Sequence, residues 1–121
     1  MIVDDVFFNI EIMKDVLHQV LKIDIDNEVV EANNGKEAVI KYMKIHKQYG
    51  NKCPIQLILM DCDMPIMNGF RATQYILKYA NEEMFKIKER KQTEINQIDS
   101  GNEIEMKVPV IVAVTGDSNA K

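Results

Sequence analysis

The sequence predicts a single α/β domain in which helices cover both faces of a parallel sheet. Three observations lead to this prediction. Short apolar segments alternate along the chain with amphipathic segments of helical period. Two of the apolar segments, LILM at 57–60 and VIVAV at 110–114, are continuous, which is typical of strands buried on both faces. The length of 121 residues suits one domain with its own core.

The N-terminal half contains two predicted strands and two predicted helices. MIVDD at 1–5 is a short apolar strand that ends in an acidic pair. The segment after it predicts a helix with one buried face, because apolar residues recur there at helical spacing: Ile10, Met13, Val16, Leu17, Val20 and Leu21. NEVVEA at 27–32 predicts a second strand. Residues 33–50 predict a second helix, in which His46 lies on the apolar stripe and is interpreted as a packing residue.

The C-terminal half contains two further predicted strands around one helix. IQLILMD at 55–61 is the third strand, and a helix follows Gly69 with a stripe that continues towards Met84 and Ile87. VPVIVAV at 108–114 is the fourth strand. About forty residues separate Gly69 from this strand, roughly double what a helix and its connection need. We therefore expect residues 82–107 to be an insertion made of an extended helix and a polar loop.

Composition and charge exclude several classes of function. The net charge of −4 gives no electrostatic reason to expect nucleic acid as a partner. No apolar run is long enough to insert in a membrane, and the acidic start MIVDD does not resemble a signal peptide. Cys53 and Cys62 lack metal-ligand spacing and are interpreted as reduced thiols. The predicted location is the cytoplasm.

The predicted topology brings several polar side chains together. Right-handed crossovers place the carboxyl ends of all four strands at one edge of the sheet. These ends carry Asp4, Asp5, Asn33, Asn34, Asp61 and Thr115. Neighbouring carboxylates repel one another, and the usual remedy is a hard divalent cation, most often Mg²⁺. The sequence therefore predicts an acidic, cation-binding site at this edge.

Four segments of the sequence resemble one family, the receiver domain of two-component response regulators and hybrid histidine kinases. These segments are VDD at 3–5, EANNGKEA at 31–38, LILMDCDMPIMNG at 57–69 and VPVIVAVT at 108–115. They occur in the order typical of the family and span nearly the whole chain. Each segment alone is weak support, but the set, with MDxxMPxMxG intact, is specific.

The resemblance implies a flavodoxin-like (CheY-like) fold and an aspartyl-phosphate mechanism. Asp61 corresponds to the phosphoacceptor, which receives a phosphoryl group from a phosphohistidine on a histidine kinase or phosphotransfer protein. Mg²⁺ would be held by Asp5 and Asp61, by Asp4 through water, and by the backbone carbonyl of Asp63. Thr115 corresponds to the switch residue that contacts the phosphoryl group. Pro65 and Gly69 would shape the loop after the phosphoacceptor.

The sequence departs from the family pattern at both ends. Only three residues precede the acidic pair, and no segment after Thr115 corresponds to the fifth strand, with its lysine, or to the last helix of the family. We therefore expect residues 1–121 to form an incomplete receiver domain. It would be a fragment of a hybrid histidine kinase or a truncated product, and not a stand-alone enzyme.

Two alternative functions stay open at the sequence level. DCD at 61–63 and TGDS at 115–118 resemble motifs of haloacid-dehalogenase-like phosphatases, in which Asp61 and Asp63 would act together. Pro65 and the unexplained VDD segment disfavour this alternative. The other alternative is a pseudo-receiver that is not phosphorylated and serves as an interaction module. For Asp4 and Asp5 there is also a structural interpretation, a pair at a helix N-terminus favoured by the helix dipole.

Overall fold

Four parallel strands form one sheet in the computed structural model, which describes residues 1–94 and 108–114. The elements, in chain order, are β1 (Ile2–Val3), α1 (Phe7–Leu21), α2 (Ile25–Glu28), β2 (Glu31–Ala32), α3 (Gly35–Tyr49), a 3₁₀ turn (Gly50–Lys52), β3 (Leu57–Asp61), α4 (Gly69–Glu94) and β4 (Val110–Val114).

The strand order is β2-β1-β3-β4, and every neighbouring pair is parallel. β1 lies in the middle, with Val3 opposite Ala32 on one side and Met60 on the other. β3 and β4 pair over five residues, from Leu57 with Val110 to Asp61 with Val114. The predicted fold class is thereby confirmed, and the described residues contain four strands and no fifth.

The hydrophobic core lies between the sheet and the pair of helices α3 and α4. Its sheet side is formed by alternate residues of the central strands, such as Val3, Ile58 and Met60. The helices contribute both small and large residues, namely Ala38, Tyr42, Ala72, Ile76 and Ala80. All of these side chains are at most 2% exposed. The core therefore packs against β1 and β3, the two strands whose ends carry the acidic residues.

Side-chain caps determine where α3 begins. The side chain of Asn34 accepts a hydrogen bond from the backbone N–H of Glu37 at 2.8 Å. The carboxylate of Glu37 accepts one in return from the N–H of Asn33 at 3.3 Å. The arrangement resembles a capping box, except that Glu37 accepts from the residue before the N-cap; the Asn34 side chain satisfies an N–H that the helix start leaves unpaired. It holds the loop after β2 at the same edge of the sheet as Asp61.

α4 is the longest helix, with 26 residues. It begins after Asn68, whose side chain accepts a hydrogen bond from the N–H of Arg71 at 2.9 Å. Residues 82–94 of the expected insertion belong to this helix, and residues 95–107 lie outside the described part. The boundaries of an insertion stay a prediction. Throughout the described residues, no helix combines the length and apolar character needed to span a membrane.

The segment before β2 differs from the sequence prediction. Asn27 and Glu28, expected in a strand, belong to the short helix α2. Asp24 explains the difference, because its side chain accepts hydrogen bonds from the N–H of Asp26 at 3.2 Å and from the amide of Asn27 at 2.8 Å. Glu28 in turn accepts one from the N–H of Asp24. These local bonds stabilise a helical turn, and the strand is reduced to Glu31–Ala32.

α1 also differs from the prediction, since most of its apolar stripe is exposed. Ile10 is fully buried, but Val16, Val20 and Leu21 are 53%, 70% and 57% exposed. In the described part of the chain, α1 packs mainly on β1 and α2. These two elements are too short to cover a helix of 15 residues. The prediction of a helix is confirmed, and the prediction of one continuous buried face is wrong.

Candidate functional site

The three carboxylates predicted to converge do lie together. Asp4 directly follows β1, and Asp61 is the last residue of β3. Val3 pairs with Met60, so Asp4 and Asp61 follow at the same level of the sheet. One carboxylate oxygen of each of Asp4, Asp5 and Asp61 lies within 4.8 Å of the others. The strand register alone therefore assembles an acidic cluster at the carboxyl edge.

The cluster combines carboxylates in different environments. Asp4 is buried at 3% exposure, Asp61 is half-buried and Asp5 is exposed. Burial and the neighbouring Asp4 carboxylate raise the pKa of Asp61, and a backbone hydrogen bond from Asp63 acts in the opposite direction. No lysine or arginine of the described residues forms an ion pair with the cluster. Such a set of oxygens, concentrated and not neutralised, suits a hard divalent cation.

Hydrogen bonds from the start of α1 orient the Asp4 carboxylate. The backbone N–H of Val6 donates to Oδ1 at 2.9 Å, and the amide of Asn9 donates to both oxygens at 3.4 and 3.3 Å. The structural interpretation of Asp4 as a helix N-terminal residue is therefore correct in part. Asn9 was missed in the sequence analysis. The sequence feature that could have identified it is an amide residue in the first turn of the helix that follows the acidic pair.

The loop after Asp61 is held close to the site by two glycines. A Cβ on Gly69 would lie 2.0 Å from the carbonyl oxygen of Asp61, and the Gly69 N–H donates to the carbonyl of Cys62 at 3.0 Å. A Cβ on Gly35, at the start of α3, would lie 2.5 Å from the carbonyl oxygen of Met67. The backbone therefore approaches more closely than any side chain allows. The contact of Gly35 was not anticipated from the sequence.

The same loop contains a strained turn at Ile66. Its φ is 71°, in a region that β-branched residues rarely adopt. The N–H of Met67 donates to the carbonyl of Pro65 at 2.8 Å, which closes a γ-turn around Ile66. The Ile66 side chain is 77% exposed, so no packing in the described residues accounts for the strain. Strained, exposed backbone of this kind is typical of functional loops.

Two other predicted site residues stand apart from the cluster. Asp63 is exposed, and its backbone N–H donates to Oδ1 of Asp61 at 3.4 Å. Its side chain is not one of the three that converge, so the geometry gives no support to a phosphatase in which Asp61 and Asp63 act together. Thr115 lies outside the described residues, which end at Val114, the partner of Asp61 in the sheet.

Comparisons of the sequence with known proteins found two curated relatives that are described below. No protein-family model matches the chain. Two-component response regulator 24 of Arabidopsis thaliana is 46% identical over 74 residues, which cover 61% of this chain and 45% of that protein. A protein-glutamate methylesterase/protein-glutamine glutaminase of Methanococcus maripaludis is 41% identical over 80 residues, 65% of this chain and 19% of that protein. The chain thus spans less than half the length of these curated relatives.

A comparison with solved structures found a similar receiver domain. The receiver domain of the histidine kinase CKI1 from Arabidopsis thaliana, crystallised with Mg²⁺ and BeF₃⁻, matches 96% of this chain and 64% of its own with a TM-score of 0.51 and 28% identity. The strand order and the acidic edge were described above without reference to any other protein, and they agree with this similarity. Together they confirm that the chain resembles the receiver domains of response regulators and histidine kinases.

Proposed function

We propose that the chain is a phosphoacceptor receiver domain of a two-component phosphorelay, with Asp61 as the acceptor. The observation that supports this proposal most is the meeting of Asp4, Asp5 and Asp61 within 4.8 Å. Of the three, Asp61 is half-buried at the end of a central strand, where an incoming group can reach it while the backbone holds it in place. Nothing comparable surrounds another carboxylate in the described part of the chain.

The proposed reaction is a transfer between two side chains. One carboxylate oxygen of Asp61 forms a bond to phosphorus while the phosphorus–nitrogen bond of a phosphohistidine breaks, and the histidine nitrogen keeps the electron pair. The partner would be a histidine kinase or a phosphotransfer protein. In such transfers, positioning and charge neutralisation provide most of the catalysis. The γ-turn loop and the Gly69 contact support the positioning of Asp61 in this proposal.

We include Mg²⁺ in the proposal because the donor set suits it. Asp5 and Asp61 would hold the ion directly, Asp4 through water, and Asp63 through its backbone carbonyl. When bound, the ion neutralises the phosphoryl oxygens and the attacking carboxylate. The described cluster provides oxygen ligands and no compensating lysine or arginine, which agrees with this assignment. The hydrogen bonds from Val6 and Asn9 to Asp4 leave Asp5 as the freer carboxylate.

Several parts of the proposal rest on the sequence. Thr115 would contact the transferred phosphoryl group, since it directly follows β4 and Val114 pairs with Asp61. Residues 82–107 would be an insertion in a receiver domain spanning 1–121. The cytoplasmic location and the absence of nucleic acid as a partner likewise stay predictions.

Phosphorylation by a small phosphodonor tests the proposal directly. The chain is incubated with acetyl phosphate and Mg²⁺, and hydroxylamine-sensitive label is mapped by mass spectrometry. We expect label at Asp61, none in Asp61→Asn, and retained label in the matched control Asp63→Asn. Label that persists in Asp61→Asn would contradict the assignment. A wild-type chain that is folded, binds Mg²⁺ and takes up no label would instead favour the pseudo-receiver.

A further inference from the structure

A second cleft lies between α3 and α4, away from the acidic edge. It has a volume of about 440 Å³ and is lined by the last turn of α3, the 3₁₀ turn after it and one face of α4. The volume falls within the range typical of small-molecule sites. The α4 residues that line it recur at helical spacing: Tyr79, Glu83, Lys86, Ile87 and Arg90. The cleft therefore belongs to the helix pair and shares no residue with the acidic cluster.

His46 forms the inner wall of this cleft. It is 3% exposed, and its ring lies 5.3 Å from that of Tyr79 at 85° and 6.0 Å from that of Tyr42. The two tyrosines thus fix the orientation of the imidazole. No hydrogen bond of the described residues reaches the ring of His46. Because His46 is one of the residues that line the cleft, its ring is placed to contact a ligand bound there.

The charge around His46 is positive, although the chain as a whole is acidic. Lys47, Lys86 and Arg90 line the cleft with a single carboxylate, Glu83. Glu83 is already paired with Lys86 at 2.8 Å. Lys47 and Arg90 form no ion pair with the described residues. Two cations that have no ion-pair partner among the described residues thus line the same cleft as the His46 imidazole, an arrangement that suits an oxyanion.

We propose that the cleft between α3 and α4 binds a small oxyanion of the phosphate type, either free phosphate or a phosphate monoester. Arg90 and Lys47 supply the positive charge, and His46 donates a hydrogen bond from its ring. The guanidinium of Arg90 suits this role because its fork of donors matches phosphate oxygens. This site is independent of phosphorylation at Asp61, because it lies between the helices and shares no residue with the acidic cluster.

Nuclear magnetic resonance of the histidine rings tests the proposal. The whole chain is titrated with inorganic phosphate in metal-free buffer at pH 7 and constant ionic strength, and separately with phenyl phosphate. Without a metal, the acidic cluster repels both probes. The chain has two histidines, so the exposed His18 on α1 serves as an internal control. We expect saturable shifts of the His46 ring and none of the His18 ring.

Variants of the exposed cations make the test specific. Arg90→Gln and Lys47→Gln should each weaken phosphate binding by about fivefold. Lys78→Gln, an exposed lysine of α4 outside the cleft, should leave it unchanged. Tighter binding of phenyl phosphate than of phosphate would identify a monoester as the ligand, and the reverse would identify free phosphate. The proposal is overturned if His46 does not respond, if chloride gives the same response, or if the Arg90 and Lys47 variants bind as wild type does.

Discussion

At the scale of single residues, the Asp61 carboxylate depends on neighbours that carry no charge. Gly69 allows the loop backbone to contact the carbonyl of Asp61, and Gly35 allows the start of α3 to contact Met67. A side chain at either position would push the loop away from the acidic edge. Asn9 orients Asp4 from the other side. The acidic residues and the role of Gly69 in the loop were visible in the sequence, but Gly35 and Asn9 were recognised only from contacts.

Asp5 and Asp63 should differ in their contribution to Mg²⁺ binding. The Asp5 carboxylate belongs to the cluster, whereas the side chain of Asp63 is exposed and apart from it. We expect Asp5→Asn to weaken Mg²⁺ binding by about tenfold, because one charged ligand is lost. Asp63→Asn retains the backbone carbonyl and should have a small effect. Isothermal titration calorimetry measures both, and equal losses of affinity would contradict this geometry.

At the scale of elements, the sequence predicted those helices and strands that are determined by the local pattern of apolar and capping residues. The continuous apolar run of β3 and the caps and stripes of α3 and α4 determine these elements, and all three were anticipated. The helical turn α2 was missed, because the hydrogen bonds around Asp24 compete with the strand tendency of the valines that follow. The exposed face of α1 was missed for a different reason. Apolar spacing shows that a helix can bury one face, but not whether enough surface is available to cover it.

The packing of α3 on α4 should depend on pH through His46. Burial lowers the pKa of His46 below the ordinary value of 6.5, and the nearby Glu83 opposes this effect. As pH falls through 6.5, the unfolded chain takes up the proton before the folded chain does. The free energy of unfolding should therefore decrease below this pH, until the folded protein is protonated as well.

Thermal unfolding between pH 7.5 and 5 measures this contribution. Since Asp61 has a raised pKa and titrates with the opposite sign, the comparison is between variants and not between pH values alone. In His46→Gln, which keeps a polar group without a titration, the melting temperature should fall less on acidification than in wild type. Identical pH dependence in wild type and His46→Gln would show that His46 is not protonated differently on folding.

At the scale of the whole molecule, the two faces of the sheet are unequal. The face under α3 and α4 is closed and holds the main core cluster. The other face carries α1 and remains partly open. Residues paired across parallel strands share a face, so Ile2, Leu59 and Val112 lie on the α1 side together with Leu57 and Val110. Val110 and Val112 are 62% and 44% exposed there. The described sheet thus combines an acidic carboxyl edge with a partly open apolar face.

This open face leads to a prediction about association of the 121-residue chain. β4 is an edge strand of the described sheet, and an apolar edge beside an exposed apolar face favours pairing with another molecule. Burying one valine contributes about 1.5–3 kcal/mol. We expect the apparent mass in sedimentation experiments to rise with protein concentration. Val110→Lys should shift the chain towards the monomer, because a charge on an edge strand opposes such pairing.

A lysine elsewhere on the surface separates this effect from a general gain in charge. Ile40 is 55% exposed on α3, so Ile40→Lys changes the net charge equally but leaves the α1 face intact. It should associate as wild type does. If Ile40→Lys reduced self-association as much as Val110→Lys does, the α1 face of the sheet would be excluded as the contact surface. A wild-type chain that stays monomeric at every concentration would contradict the prediction as a whole, since exposed apolar area on this face would then drive no pairing.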